Sequence, residues 1–256
     1  MIVSTASSGS GMVSLQTDHQ KVALQLARKL GNHAFPGLRP RSLLEYLIGH
    51  IDEGWSQVDL EATIDQDTGL PCDFRKLPFE TTSQAWSLTI DHLATYNLFC
   101  GYLASLYFCQ KLKDSPEPLL TACQKQFINT EQSRQEKLKL EFRRNVLTAQ
   151  YSDSAFLEVC LNQILTLDKL AVALMSRYDD LQSLNVIDKN SSHHLVQLEQ
   201  VSDTTYKISP FPFIGEKFEV CVRRFIFPNL IGQTKLNYRN ILPELQQHID
   251  TIQIVR

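Results

Sequence analysis

The sequence predicts a mainly helical α+β fold: a helical core over residues 17–178, and a small antiparallel sheet from the N-terminal hairpin and the C-terminal strands, residues 1–16 and 185–256. Three observations carry this. Between Thr17 and Tyr178 apolar residues recur at three- and four-residue steps, the spacing of one buried helix face. After Leu184 the pattern turns to alternation with β-branched and aromatic enrichment, as in HHLVQLEQV, TTYKIS and FEVCVRRFIF. The opening residues form two short runs, Met1 to Ser4 and Met12 to Gln16, about the Gly/Ser-rich turn SSGSG, which reads as a hairpin. At 256 residues, 43% of them hydrophobic, the chain can bury a full core as one domain.

In chain order, Thr17 and Gln20 form a capping-box pattern and Gly31 suits a helix end, giving a first helix from about Asp18 to Leu30. Pro40 fits the first turn of a second helix, whose apolar residues run from Leu43 to Trp55 and whose last turn holds GHIDEGW. From Ser56 to Phe79 turn signals such as Asp67-Thr68-Gly69 and Pro71 replace periodicity, so a long ordered loop is expected, of the kind that covers a site. A helix resumes near Thr82, breaks near Asn97 and restarts through Leu112. After the polar Asp-Ser-Pro-Glu-Pro connection, a charged amphipathic helix spans Leu119 to Leu147, and Ser152 to Ser154 cap a last helix ending near Tyr178. Pro210, Pro212 and Pro228 punctuate the strand region, and the tail holds a short helix around Pro243 to Ile249 before the strand-like IQIVR.

Composition excludes several classes. The net charge of −3 is spread along the chain, leaving no basic footprint for nucleic acid or an anionic membrane. The longest uncharged stretch, Leu93 to Cys109, is short for a membrane span and is interrupted by Thr95, Tyr96 and Asn97, so a buried helix is expected. Met1-Ile2-Val3 runs at once into polar residues, unlike a signal peptide. Six scattered cysteines, none in a CxxC pair, fit a reduced cytoplasm. No Walker loop, dinucleotide fingerprint, nucleophile elbow or zinc-finger spacing is present.

The candidate site starts from Asp168. It lies in FLEVCLNQILTLDKLAVALM, where an ionised carboxylate costs several kcal/mol unless it is paired or coordinated. Lys169 projects about 100° away on a helix and cannot easily be the partner. The partner is therefore a metal, an Arg or Lys from another helix, or His19. His19 shares the inward face of the first helix with Val22, Ala23, Leu26, Ala27 and Leu30. The doublet His193-His194 reads as a solvated turn, and Arg223-Arg224 as a pair split across a strand.

The order of a histidine opening a helix (DHQKVALQLARKL), an acidic pair before Gly-Trp (LLEYLIGHIDEGW) and an aspartate late in a buried helix (LTLDKLAVAL) resembles the HD-domain superfamily of metal-dependent phosphohydrolases. It looks closest to an uncharacterised bacterial branch, a domain-of-unknown-function family. That branch is similar in the opening MIV, the loop TGLPCDF, the Trp86 helix, the helix with Gln132 and Gln135, and the SPFPF strand entry. The resemblance implies an HD-like helical core in which His19, Asp52 and Asp168 hold a divalent metal such as Mg, Mn or Fe. The histidine of the superfamily's His-Asp doublet falls on Ile51, and a further histidine of the relatives falls on Tyr107. If the second helix continued through GHIDEGW, His50 and Asp52 would lie about 200° apart and would not reach one ion.

His50, Ile51, Glu53, Trp55 and Tyr107 are thus expected around a degenerate metal site, with Tyr107 bonding Asp168 or His19. The reading favoured is a ligand-binding or regulatory module taking a small phosphorylated ligand. The alternative is a phosphohydrolase using His19, Asp52 and Asp168, with His50, Asp59, Asp65, Asp67 or Asp73 filling the gap. A homodimer is compatible with the sequence, and oligomeric state is not legible in it.

Overall fold

A computed structural model describes residues 1–5, 11–114, 119–144, 146, 148–176, 184–227 and 241–256. The hairpin turn up to Ser10, the Ser-Pro-Glu-Pro connection, Leu147, the helix end near Tyr178 and Pro228 lie outside the described residues.

Helix α1 (Gln16–Lys29) starts ahead of the expected capping box, with Leu15 at its cap and no local side chain closing it. The Asp59 carboxylate does so instead, accepting from the Gln16 amide at 2.6 Å while its other oxygen holds the Met1 amine at 2.7 Å. A carboxylate there also complements the positive end of the helix dipole. At the far end Gly31 takes φ +106° and packs against Gly37, where a Cβ would lie 2.7 Å from the Gly37 Cα.

Helix α2 (Arg41–Gly49) follows Pro40 as expected but stops before His50, so GHIDEGW is not its last turn. Ile51 and Asp52 lie in a turn, Glu53–Trp55 form a 3₁₀ turn, and α3 (Ser56–Leu60) follows. Gly54 lets this corner touch the next long helix: a Cβ here would sit 1.9 Å from the Ala85 carbonyl oxygen. That helix, α4 (Phe79–Tyr96), breaks at Asn97, whose side chain caps α5 (Leu98–Lys113) through the Phe99 amide at 3.0 Å. Helix α6 (Ala122–Arg144) carries the charge run, and α7 (Ser154–Ser176) is capped by Asp153. By composition α7 is long and apolar enough to cross a membrane, but 61% of that window is buried inside the protein.

The small antiparallel sheet on an HD-like helical core is not what the chain builds. Strands β1 (Ile2–Thr5), β2 (Gly11–Ser14), β3 (Leu184–Ile187), β4 (His193–Ser202), β5 (Thr205–Ser209), β6 (Lys217–Phe227) and β7 (Gln247–Val255) form one seven-stranded sheet, ordered β1-β2-β6-β7-β5-β4-β3. It is mixed, because β7 inserts between β5 and β6 and runs parallel to β5. It also curls into a half-barrel. Helix α7 packs against β1 and β3, the two outer strands of this sheet. The tail folds as a 3₁₀ turn (Leu242–Glu244) and then β7, whose strand already includes Gln247 to Ile249 of the expected helix.

A buried arginine ties sheet to helix. Arg224, on the inward face of β6 with its side chain 1% exposed, pairs through Nε with Asp250 of β7 at 2.5 Å. Its Nη1 donates to Ser4 Oγ at 3.2 Å and to the Met175 carbonyl, and Nη2 to the Leu174 carbonyl at 3.1 Å. The guanidinium thus bonds two backbone carbonyls in the last described turn of α7. Arg223 points the other way and forks onto Asp18, as alternation requires.

Candidate functional site

Packing α1 against α7 brings His19 to Asp168 across 149 positions. The imidazole is fixed at both nitrogens: Nδ1 lies 2.6 Å from Asp52 Oδ2, and Nε2 lies 3.1 Å from the backbone oxygen of Asp168. Both partners offer acceptor oxygens, an arrangement that favours the doubly protonated ring. Burial pushes its pKa down, and the Asp52 and Asp168 charges more than offset that, leaving it raised above the ordinary 6.5. Asp52 is held in turn by Gln20, whose side-chain oxygen accepts from the Asp52 amide at 2.9 Å. Gln20 also reaches Glu53 at 3.3 Å.

Asp168 has the lysine partner that the neighbouring Lys169 could not supply. Lys111, from α5, places Nζ 3.1 Å from Asp168 Oδ2 and 3.0 Å from the Tyr107 hydroxyl one turn earlier. That hydroxyl hydrogen-bonds the carboxylate too, so Tyr107 stands beside Asp168 in the buried network. Burial raises the Asp168 pKa, and Lys111 and His19 more than reverse it, so the group is held below the ordinary carboxylate value. The Tyr107 hydroxyl is pushed well above its ordinary range by burial and by the nearby carboxylates.

Two of the expected neighbours are elsewhere. His50 faces away from Asp52, stacks on Tyr46 with ring centres 4.1 Å apart and hydrogen-bonds the Tyr46 carbonyl through Nδ1 at 2.8 Å. The separation of His50 from Asp52 thus arises from the end of α2 and not from helical phase. Ile51 is 2% exposed and belongs to the hydrophobic core, where an imidazole would lose its solvent. The suggested gap-fillers do not enter the site: Asp59 caps α1, Asp65 pairs with Lys76, and Asp73 pairs with Arg75. His193 and His194 sit at the start of β4, the latter on Asp188 at 2.9 Å.

The network forms the floor of a cavity of about 620 Å³. From α1 come Gln16 and His19; from the corner after α2, Asp52 and Trp55; from the long loop, Phe74, Arg75 and Leu77. Helix α4 adds Phe79, Thr82 and Trp86, and Lys111, Thr121, Gln124 and Asp168 complete the polar wall. Of the segment expected as a long loop, Ser56–Leu60 is helical and Phe74, Arg75 and Leu77 line this cavity. Its aromatic contacts are edge-on, Trp55 to Phe74 at 6.3 Å and Phe79 to Trp86 at 6.0 Å.

Two atoms of this wall are buried without a hydrogen-bond partner, Asp168 Oδ1 and Gln16 Nε2. A third such atom among the described residues, Glu131 Oε1, lies elsewhere, 3.2 Å from Arg134 Nε. A second cavity, about 600 Å³ around Asn32, His33 and Arg256, has none on its walls. Sequence reading missed Gln16, Arg75 and Lys111; the one local signal was Lys111 lying four residues after Tyr107, on the same helix face.

As a metal centre the donor set is incomplete. Asp52 spends an oxygen on His19, His19 Nε2 is taken by the Asp168 backbone oxygen, and Lys111 pairs with Asp168 Oδ2, leaving Asp168 Oδ1 as the buried oxygen without a hydrogen bond. Among the described residues no three His, Cys, Asp or Glu side chains are grouped to hold an ion.

No curated protein and no solved structure matches the chain. The family described as "Protein of unknown function (DUF3891)" matches residues 1–228, which include the whole site and exclude β7. The match neither supports nor excludes the HD-domain superfamily. The chain belongs to the DUF3891 family.

Proposed function

We propose that the protein is a small-molecule binding module whose ligand occupies the cavity above His19 and Asp168. One observation supports this reading: two residues that line the same cavity, Asp168 and Gln16, each carry a buried polar atom, Oδ1 and Nε2, without a hydrogen-bond partner. Leaving such groups unpaired costs about 1–3 kcal/mol each, so an occupant that bonds both recovers that energy. The cavity has the size of a metabolite site, and its walls combine aromatic faces with a few convergent polar groups.

The occupant gives an O–H or N–H to Asp168, accepts from Gln16 and lays an apolar part against Trp55, Phe74 and Trp86. An anionic group such as a phosphate suits the Lys111 and Arg75 side chains, 29% and 39% exposed at the cavity. A non-catalytic, regulatory role in the cytoplasm fits a chain with free, scattered cysteines. Thermal-shift screening of the purified protein against phosphorylated metabolites, with native mass spectrometry for a co-purifying compound, tests the reading. Binding at one hundred times Kd stabilises by about 2.7 kcal/mol and raises Tm by several degrees. Asp168→Asn and Gln16→Leu should lose most of that shift. An empty protein that no compound stabilises sinks the proposal.

A further inference from the structure

The second cavity lies where the turn after α1 meets the connection from β5 to β6 and the end of β7. Its volume, about 600 Å³, is that of a metabolite site. The ionisable side chains on its walls are His33 from the turn, Lys207 from β5 and Arg256 just after β7, and no Asp or Glu lines it. The chain as a whole carries 28 acidic residues against 25 Lys and Arg, so a wall with bases alone departs from the mixed charge elsewhere. All three residues are exposed, and among the described residues none of their side chains has an ion pair or a hydrogen bond. Glu199, opposite Lys207 in the register of β4 and β5, does not pair with it.

The frame behind these charges is held from several sides. Asn32 uses all four hydrogen-bonding positions of its amide. Its Nδ2 donates to the Phe211 and Phe213 carbonyls at 2.8 and 3.3 Å, and its Oδ1 accepts from the Ala34 and Phe35 amides at 2.8 and 3.0 Å. Lys189 closes the turn by donating to the Asn32 carbonyl at 2.7 Å. Phe213 packs edge-on against Phe211 and Phe218, with ring centres 5.5 and 5.0 Å apart. A site in place before its ligand arrives loses little binding energy to ordering.

We infer that this cavity is a second ligand site, for a small polyanion: a phosphate ester or a di- or tricarboxylate that touches Lys207 and Arg256 together. A guanidinium forks onto either kind of group and an ammonium adds a point charge. Without a ligand the three bases only repel one another through water, whereas a bound anion is attracted to each. The site shares no lining residue with the cavity over Asp168, so it stands or falls apart from the function proposed above.

The experiment titrates the full chain by calorimetry at low salt, with inorganic pyrophosphate and separately with citrate. At least one probe should bind, one per chain, with a Kd below about 1 mM, and the tighter of the two distinguishes phosphate ester from carboxylate. Lys207→Gln and Arg256→Gln should each raise that Kd by at least about fivefold, the loss of one charged hydrogen bond, and leave the unfolding midpoint in place. Gln16→Leu, which weakens binding in the cavity over Asp168, and the paired Lys137→Gln and Lys139→Gln on α6 should leave it unchanged. The inference is overturned if neither probe binds, if Lys207→Gln and Arg256→Gln have no effect, or if the α6 pair weakens binding as much. Loss of the signal in Gln16→Leu alone would place the probe in the other cavity, which overturns this site and not the first.

Discussion

Two buried charge networks meet on α7, and they differ in how completely they are satisfied. At its C-terminal end every guanidinium nitrogen of Arg224 has an acceptor, from Asp250, Ser4, Leu174 and Met175. About two turns earlier, around Asp168, two buried polar atoms, Asp168 Oδ1 and Gln16 Nε2, have no hydrogen-bond partner, and both residues line a cavity. A closed network locks a fold, whereas an open one beside empty space is available to a ligand. The two networks share charge and burial and differ in this completeness, on which the proposed binding role of the second rests.

The largest expected effect lies in the closed network. Arg224→Met leaves Asp250 with His248 as its remaining ion partner and removes the donor to the Leu174 and Met175 carbonyls, and should cost about 3–5 kcal/mol in denaturant unfolding. An intact midpoint would break the comparison at its firmer end. Asp168→Asn should cost less, about 2 kcal/mol, because Lys111 is part-exposed and cavity water can solvate what is left.

Next is a pH effect. A raised His19 pKa means that the folded state holds its proton more tightly, so this stability is complete below 6.5 and fades as pH rises through the folded value. Unfolding midpoints of the unaltered protein should fall across that window. Asp52→Asn should flatten the fall and bring the imidazole titration, followed by NMR, back down. The smallest effect is the most discriminating. Gln16→Leu replaces an unpartnered donor by an apolar group and should leave stability unchanged or raise it by up to about 1 kcal/mol while weakening ligand binding. A clear destabilisation would show that Gln16 belongs to a closed network after all.

Legibility in the sequence follows the range of the interactions. The break at Asn97, the start after Pro40 and the left-handed Gly31 each depend on a few adjacent residues, and each is where the sequence places it. The start of α1 was displaced because its cap, Asp59, lies 43 residues from Gln16. Strand patterns in FEVCVRRFIF and IQIVR announced a sheet but carried nothing about order, so the insertion of β7 beside β5, and with it the size and curl of the sheet, stayed hidden. At the site, His19 and Asp168 were legible as inward polar residues on apolar faces. Lys111, 57 residues from Asp168, was not; for Arg223-Arg224 the alternation split the pair across the strand but named no partners for the inward arginine.

An open sheet edge is a template on which another chain can add a strand, and such edges are a common starting point of aggregation. Here β1 and β3 are the two edges, and α7 packs against both. On β3 the Asn162 and Thr166 side chains donate to the Asn185 carbonyl at 2.9 and 2.8 Å, occupying an acceptor that an incoming strand would need. The helix that lines the cavity thus also occupies a backbone acceptor of one outer strand, and a substitution loosening α7 should free it.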